Sequence, residues 1–119
     1  MIYIEGGTKT QRALSKELYY FCSQELAIKK QIDIDLKIQD IENAQAWTDH
    51  EGEGKFYIDI EKDLSSDQFI TAFCHEMIHV IQHLRDKPIS EKEAYQMESG
   101  LSEQFKLLNK IKARSLLIF

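Results

Sequence analysis

Residues 75–79 read His-Glu-Met-Ile-His, which combines the residue types and the spacing of a metal site. On a helix, His75 and His79 lie one turn apart on the same face, because positions i and i+4 are neighbours. Two imidazoles so placed can direct their nitrogens at one zinc ion about 2 Å away. The carboxylate of Glu76 can then reach a water molecule on that ion. The motif therefore predicts hydrolytic chemistry at a metal centre.

A helix through this motif has the polarity that such a site requires. Steps of about 100° per residue place the apolar side chains of residues 69–84 on one half of a helical wheel and the polar ones on the other. His75 and His79 fall in the middle of the polar half. The sequence therefore predicts a helix that packs one side into a core and turns its histidines toward a polar environment.

A catalytic zinc site takes a third protein ligand and leaves its fourth position for water. The preferred candidate is Glu93, because a carboxylate on the next helix can approach the histidines from the side. Glu93 also has a structural alternative, since it follows Ser90 by three residues and can complete a capping box. Glu91 and Glu98 are the fallback candidates.

The two other histidines are weaker candidates for ligands. His83 lies two turns, about 12 Å, along the helix from His75, so the two cannot converge with His79 on one ion. We expect His83 to be a solvated helix residue. His50 belongs to an acidic, glycine-rich turn, and we expect it to be exposed.

The motif, followed fourteen residues after its second histidine by Glu93 and Ala94, resembles the gluzincin metallopeptidases. In particular it resembles the minimal zincin domains of short bacterial and phage proteins. The resemblance covers about residues 33–100, in which residues 43–47 resemble the edge strand that holds the substrate. The third zinc ligand of that group is a glutamate on the next helix, often followed directly by alanine, and the resemblance assigns this role to Glu93. The extended histidine pattern of the metzincins and the second domain of the larger peptidases are absent from the sequence.

The resemblance implies zinc-dependent hydrolysis of a peptide bond, with His75, His79 and Glu93 as the metal ligands. Glu76 would accept a proton from the attacking water and pass it to the leaving amine. A peptide or protein substrate would pair with the edge strand through main-chain hydrogen bonds. One alternative is a zinc protein without turnover that regulates or binds a partner. Another is a metal-free helical adaptor in which the motif occurs by chance. Should a metal bind, the ligand types also suit iron or manganese.

Several neighbouring residues have possible auxiliary roles. Tyr95 and His83 are candidates for stabilising the oxyanion that develops during hydrolysis, although no residue clearly matches the auxiliary donor of the larger enzymes. Glu98 is a candidate for holding an imidazole in place. Trp47 is either a partly buried anchor or a contact for the substrate.

The elements that position these residues follow from hydrophobic periodicity and from capping-box signals at the starts of the three helices: Thr8 with Gln11, Ser65 with Gln68, and Ser90 with Glu93. Alternation over residues 32–41 predicts a half-buried strand, and the glycines of residues 50–54 suit a hairpin connection. The predicted order is strand, helix, three strands, helix and helix, over residues 1–4, 8–28, 32–41, 43–49, 55–60, 65–86 and from 90 onward. We therefore predict one zincin-like domain over residues 1–119, of the α+β class, with a small, mostly antiparallel sheet.

Composition narrows the classes of function. The 119 residues carry a formal charge of −5 and no basic stripe, which argues against nucleic-acid binding because phosphates require clustered cations. No apolar run is long enough to cross a membrane, and the first residues do not resemble a secretion signal. Cys22 and Cys74 are expected to be free, buried thiols, so we predict a cytoplasmic protein. The oligomeric state is not predicted.

Overall fold

The computed structural model describes residues 1–118, and the side chains of residues 1–113. The elements are β1 (Ile2–Gly6), α1 (Lys9–Glu25), β2 (Asp33–Gln39), β3 (Ala46–His50), β4 (Lys55–Glu61), α2 (Ser66–Leu84) and α3 (Glu91–Ile118). This order confirms the predicted succession of elements and the α+β class. The C-terminal tail, for which the sequence left strand and helix open, continues α3 as far as Ile118, and Phe119 lies outside the described residues.

The four strands form one mixed sheet in the order β1-β2-β4-β3. β1 pairs in parallel with β2, and β2 pairs in parallel with β4, while only β3 runs antiparallel to its neighbour β4. The prediction of a mostly antiparallel sheet is therefore wrong. Alternation of apolar residues reports which face of a strand is buried and carries no information about the direction of its neighbour. α1 links β1 to β2 as a crossover, and such a connection joins parallel strands.

One face of the sheet is buried and carries the core. Alternate residues of the two central strands are 0–3 % exposed: Ile34, Leu36 and Ile38 on β2, and Phe56, Ile58 and Ile60 on β4. α2 contacts α1, α3, β3 and β4, so it is the central helix of the layer on this face. The position of α2 fixes where any side chain of the motif can point.

Local sequence signals determine where α2 begins and how β3 connects to β4. Ser65 accepts a hydrogen bond from the backbone N–H of Gln68, whose side chain accepts one from the N–H of Ser65, as the predicted capping box requires. Between β3 and β4, Gly52 and Gly54 have φ angles of 63° and 81°, a region that favours glycine. The predicted hairpin is therefore confirmed.

Cys22 on α1 and Cys74 on α2 are both free and fully buried, with their sulfurs 4.0 Å apart. Their burial confirms the interpretation of the two residues as small core side chains. Among the described residues, no helix combines the length and the apolar character needed to cross a membrane.

Candidate metal centre

α2 holds the motif rigidly, because its apolar face is almost completely enclosed. Phe69, Phe73, Met77 and Val80 are at most 1 % exposed. Large side chains buried in this way resist rotation of the helix about its axis, since rotation would expose them to water. The opposite face of α2 therefore points in one fixed direction, as the helical wheel predicted.

The two histidines of the motif meet on that face. The rings of His75 and His79 are 4.8 Å apart and nearly perpendicular, and their Nε2 atoms lie 3.1 Å from each other. Ligand atoms about 2.0–2.1 Å from a tetrahedral zinc ion are separated by about 3.3 Å. The separation of the two Nε2 atoms therefore fits two ligands of one ion.

A carboxylate from α3 completes this arrangement, and it belongs to Glu91. One oxygen of Glu91 lies 2.6 Å from Nε2 of His79, and the other lies 3.2 Å from Nε2 of His75. Glu91 is the first residue of α3, so its side chain can extend across the gap between the two helices. Two imidazoles and one carboxylate, the ligand set that the motif requires, thus meet with their ligand atoms 2.6–3.2 Å apart. The 2.6 Å contact is shorter than the separation of two zinc ligands, so an ion at this place would draw the Glu91 carboxylate away from His79.

Glu93, the ligand preferred from the sequence, is placed elsewhere. Its carboxylate accepts a hydrogen bond of 3.0 Å from Nε2 of Gln82, and its backbone N–H donates to the hydroxyl of Ser90. The last contact is one half of the capping box; the half that was weighed against the ligand role, a hydrogen bond from the Ser90 N–H to the Glu93 carboxylate, is not formed, because that N–H donates to Oε1 of Gln82. Positions 91 and 93 are about 200° apart around a helix, so their side chains cannot face the same point. The structure therefore brings Glu91, one of the two fallback candidates, to the histidines in place of Glu93.

The Nδ1 atom of each imidazole contacts an oxygen that can only accept a hydrogen bond. Nδ1 of His75 lies 2.6 Å from a carboxylate oxygen of Glu98, and Nδ1 of His79 lies 2.9 Å from Oε1 of Gln82. A carboxylate oxygen and an amide oxygen only accept hydrogen bonds, so each Nδ1 carries the hydrogen. In a neutral imidazole the lone pair then lies on Nε2. Glu98 thus occupies the orienting position that the sequence suggested for it.

Nε2 of His75 and of His79 and the carboxylate of Glu91 therefore face one another as acceptors. When both imidazoles are neutral, no hydrogen is available to link the three groups. Lone pairs about 3 Å apart repel unless a cation lies between them. A metal ion supplies that cation without protonating either ligand, and imidazole with carboxylate is a donor set that zinc accepts.

Glu76 lies beside this cluster and is buried. It is 4 % exposed, and its carboxylate accepts a hydrogen bond of 3.0 Å from the hydroxyl of Thr48 on β3. Ligand atoms of His75, Glu76 and His79 all lie within 4.8 Å of one another. Burial raises the pKa of Glu76, although Thr48 and the two histidines oppose that increase. A carboxyl group with a raised pKa is suited to accept and release a proton.

The cluster opens into a cavity of about 520 Å³ between β3, α2 and the start of α3. His50 and His83 lie at one part of its wall with their rings 3.7 Å apart. His83, which we expected to be a solvated helix residue, is half-buried there. His50 is exposed, as predicted. The ring of Tyr95 lies 4.8 Å from that of His75, and Trp47 lines the cavity while its indole N–H donates to Asp59.

Sequence reasoning missed two residues that contact this site: Thr48, whose hydroxyl donates to Glu76, and Gln82. Gln82 is 1 % exposed and connects His79 to the beginning of α3. The sequence does contain a signal for Gln82, since it follows His79 by three residues and shares its helix face.

Comparison with models of protein families, with curated proteins and with solved structures finds no match to this chain.

Proposed function

We propose that this chain is a small zincin-like hydrolase that cleaves peptide bonds with a zinc ion held by His75, His79 and Glu91. The observation that carries the proposal is the convergence of three acceptor groups on one point, with Glu76 beside them. Glu91 replaces the sequence-based choice of Glu93 as the third ligand, and the rest of the predicted ligand set is retained. Zinc bound there would polarise a carbonyl group and lower the pKa of a water molecule toward about 7.

Residues of the chain would transfer the proton, position Glu76 and contact the oxyanion. Glu76 accepts a proton as water adds to the carbonyl carbon and delivers it to the nitrogen as the C–N bond breaks. The hydroxyl of Thr48 holds one oxygen of Glu76 and leaves the other oxygen available. Burial excludes bulk water from Glu76, which strengthens the electrostatic interactions at the reacting groups. Tyr95 and His83 remain candidates for contact with the oxyanion, since both line the cavity.

The position of β3 favours an extended peptide as the substrate. β3 is at the edge of the sheet and pairs with β4 alone among the described strands. Residues 43–48, which include most of β3, line the cavity. An edge strand carries unpaired N–H and C=O groups, so a peptide can add to it as a further strand. Such pairing would place a substrate carbonyl near the cluster of acceptor groups.

The test combines metal analysis with a cleavage assay. Protein purified without chelator is expected to contain one zinc per chain and to cleave members of a peptide library. Glu76→Gln is expected to lose about 10²- to 10⁴-fold in rate, the usual contribution of a general base, while the zinc content stays unchanged. Glu103→Gln, an exposed position on α3, is the matched control and should retain full activity.

The outcomes separate this proposal from its alternatives. Zinc at one equivalent with no cleavage would indicate a zinc-containing module that regulates or binds a partner. Absence of any bound divalent metal would exclude the metal centre. Cleavage that survives in Glu76→Gln would exclude the proposed general base.

A further inference from the structure

Gln82 makes hydrogen bonds with both ends of its buried amide, and both ends are saturated. Its Nε2 donates to the backbone carbonyl of Ser90 at 3.1 Å and to the carboxylate of Glu93 at 3.0 Å. Its Oε1 accepts from the backbone N–H of Ser90 at 3.2 Å and lies 2.9 Å from Nδ1 of His79. An amide has two donor hydrogens and one oxygen with two lone pairs, so no capacity remains.

These partners permit only one orientation of the amide. The carbonyl of Ser90 and the carboxylate of Glu93 cannot donate, so the NH₂ group must face them. The oxygen of Gln82 is thereby directed at His79, whose Nδ1 must carry a hydrogen. Rotation of the amide by 180° would set its oxygen against two acceptors inside the protein, which is costly at a group only 1 % exposed.

We propose that Glu93 and Gln82 form a positioning relay that holds His79 in its Nδ1–H form, with the lone pair of Nε2 directed at His75 and Glu91. Glu93 acts from behind the imidazole in this arrangement and does not ligate the ion. The relay adds to the function proposed above and rests on it only where metal binding is concerned. Neither Glu93 nor Gln82 lines the large cavity, and both line a separate one of about 160 Å³.

The relay also explains why two acidic residues stand so close together at the start of α3. Glu91 faces the front of the imidazole pair, and Glu93 faces the amide that supports the rear of His79. Lys87 lies 3.9 Å from the second oxygen of Glu93, so the carboxylate keeps a cationic neighbour on its outer side. The first turn of α3 thus supplies both the proposed ligand Glu91 and the carboxylate of Glu93, which holds the amide of Gln82.

The direct test measures the tautomer of His79 in metal-free protein. Two-bond ¹H–¹⁵N correlation spectra, at a pH where the imidazole is neutral, are expected to show one Nδ1–H form in the wild type. Gln82→Met, which keeps the length and removes the amide, is expected to give a mixture of tautomers. Gln96→Met, an exposed position on α3, is the control.

Zinc affinity, measured by competition with a chromophoric chelator, gives the second readout. Loss of an orienting partner of a ligand histidine typically weakens metal binding by about 10- to 100-fold, and this loss is expected for Gln82→Met. For Glu93→Ala we expect a smaller loss, about two- to tenfold, since Ser90 still holds the amide of Gln82. If Glu93 were a ligand, its replacement would instead reduce affinity as strongly as replacement of Glu91.

Two results would overturn the relay. One is a folded Gln82→Met protein with an unchanged tautomer and unchanged zinc affinity. The other, which applies even if Gln82→Met does not fold, is a Glu93→Ala protein whose His79 spectrum and zinc affinity both match the wild type. The tautomer spectra decide the relay whether or not the chain binds zinc or cleaves peptides, so its failure is distinguishable from that of the proposed function.

Discussion

Glu91 approaches Nε2 of His79 to 2.6 Å, although one residue belongs to the start of α3 and the other to the last turns of α2. The contact spans the connection of residues 85–90, which turns the chain back so that the two helices lie together. The side chain of Glu91 is more than half exposed, with a relative accessibility of 62 %, whereas that of His79 is 8 % exposed. The carboxylate therefore reaches from the solvent side toward a buried ring.

Replacing Glu91 by Ala is expected to weaken zinc binding by at least about 100-fold, because three protein ligands are needed for a stable catalytic site. Isothermal titration with zinc would measure the change. Glu103→Ala, on the exposed part of the same helix, should bind zinc as the wild type does. Equal affinities of the Glu91 and Glu103 variants would contradict the assignment.

Zinc is expected to raise the thermal stability of the wild type. An ion that binds the folded chain alone stabilises it by about 2.7 kcal/mol at a free concentration one hundred times its dissociation constant. A thermal melt with and without a chelator would measure the shift in Tm. The double variant His75→Ala/His79→Ala should show no shift, and a shift of wild-type size in that variant would place the bound metal elsewhere.

Glu76→Gln is expected to stabilise the metal-free protein at neutral pH. The pKa of Glu76 is raised in the folded state by burial, so the folded chain holds this proton more tightly than the unfolded chain does. Stability is therefore greatest below the unfolded pKa and decreases as pH rises through the folded pKa. Glutamine cannot ionise, so the variant lacks this decrease. Urea unfolding of both proteins between pH 4 and pH 8 would detect it, and parallel curves would disprove it.

Ser65→Ala is expected to cost about 1 kcal/mol of stability, because the substitution removes the hydroxyl that caps α2. The matched variant Thr8→Ala removes the equivalent hydroxyl from α1 and should cost a similar amount. Denaturant titration measures both effects. Since α2 carries both motif histidines, only Ser65→Ala is expected to weaken zinc binding, and a larger loss of affinity in Thr8→Ala would argue against that distinction.

Short-range signals account for the parts of the fold that were predicted correctly. The capping boxes of α1 and α2 and the glycine-rich hairpin depend on residues a few positions apart, and each is found where expected. The third predicted box, at the start of α3, forms only in half, because the N–H of Ser90 donates to Gln82 on another helix. The order of strands depends on contacts between distant segments, and the parallel pairing of β2 with β4 was missed for that reason. The three- and four-residue spacing of apolar residues also predicts that Ala13 and Met97 lie on the inner faces of α1 and α3, but both are exposed.

The site was predictable as far as one helix could specify it. His75, Glu76 and His79 share a helix, so their geometry follows from helical periodicity. The choice between Glu91 and Glu93 depends on where α3 begins and how it rotates against α2. Side chains two positions apart on a helix point about 200° away from each other. No pattern within α3 alone determines which of the two faces α2.

The connection between α2 and α3 is flanked in the sequence by residues that form or support the candidate metal centre. His79 and Gln82 precede it, and Ser90 and Glu91 follow it. An ion bound by His79 and Glu91 would close residues 80–90 into a ring, in the manner of a cross-link. The entropy of that segment would then be restricted by the metal, and opening of the segment and departure of the ion would be a single kinetic event.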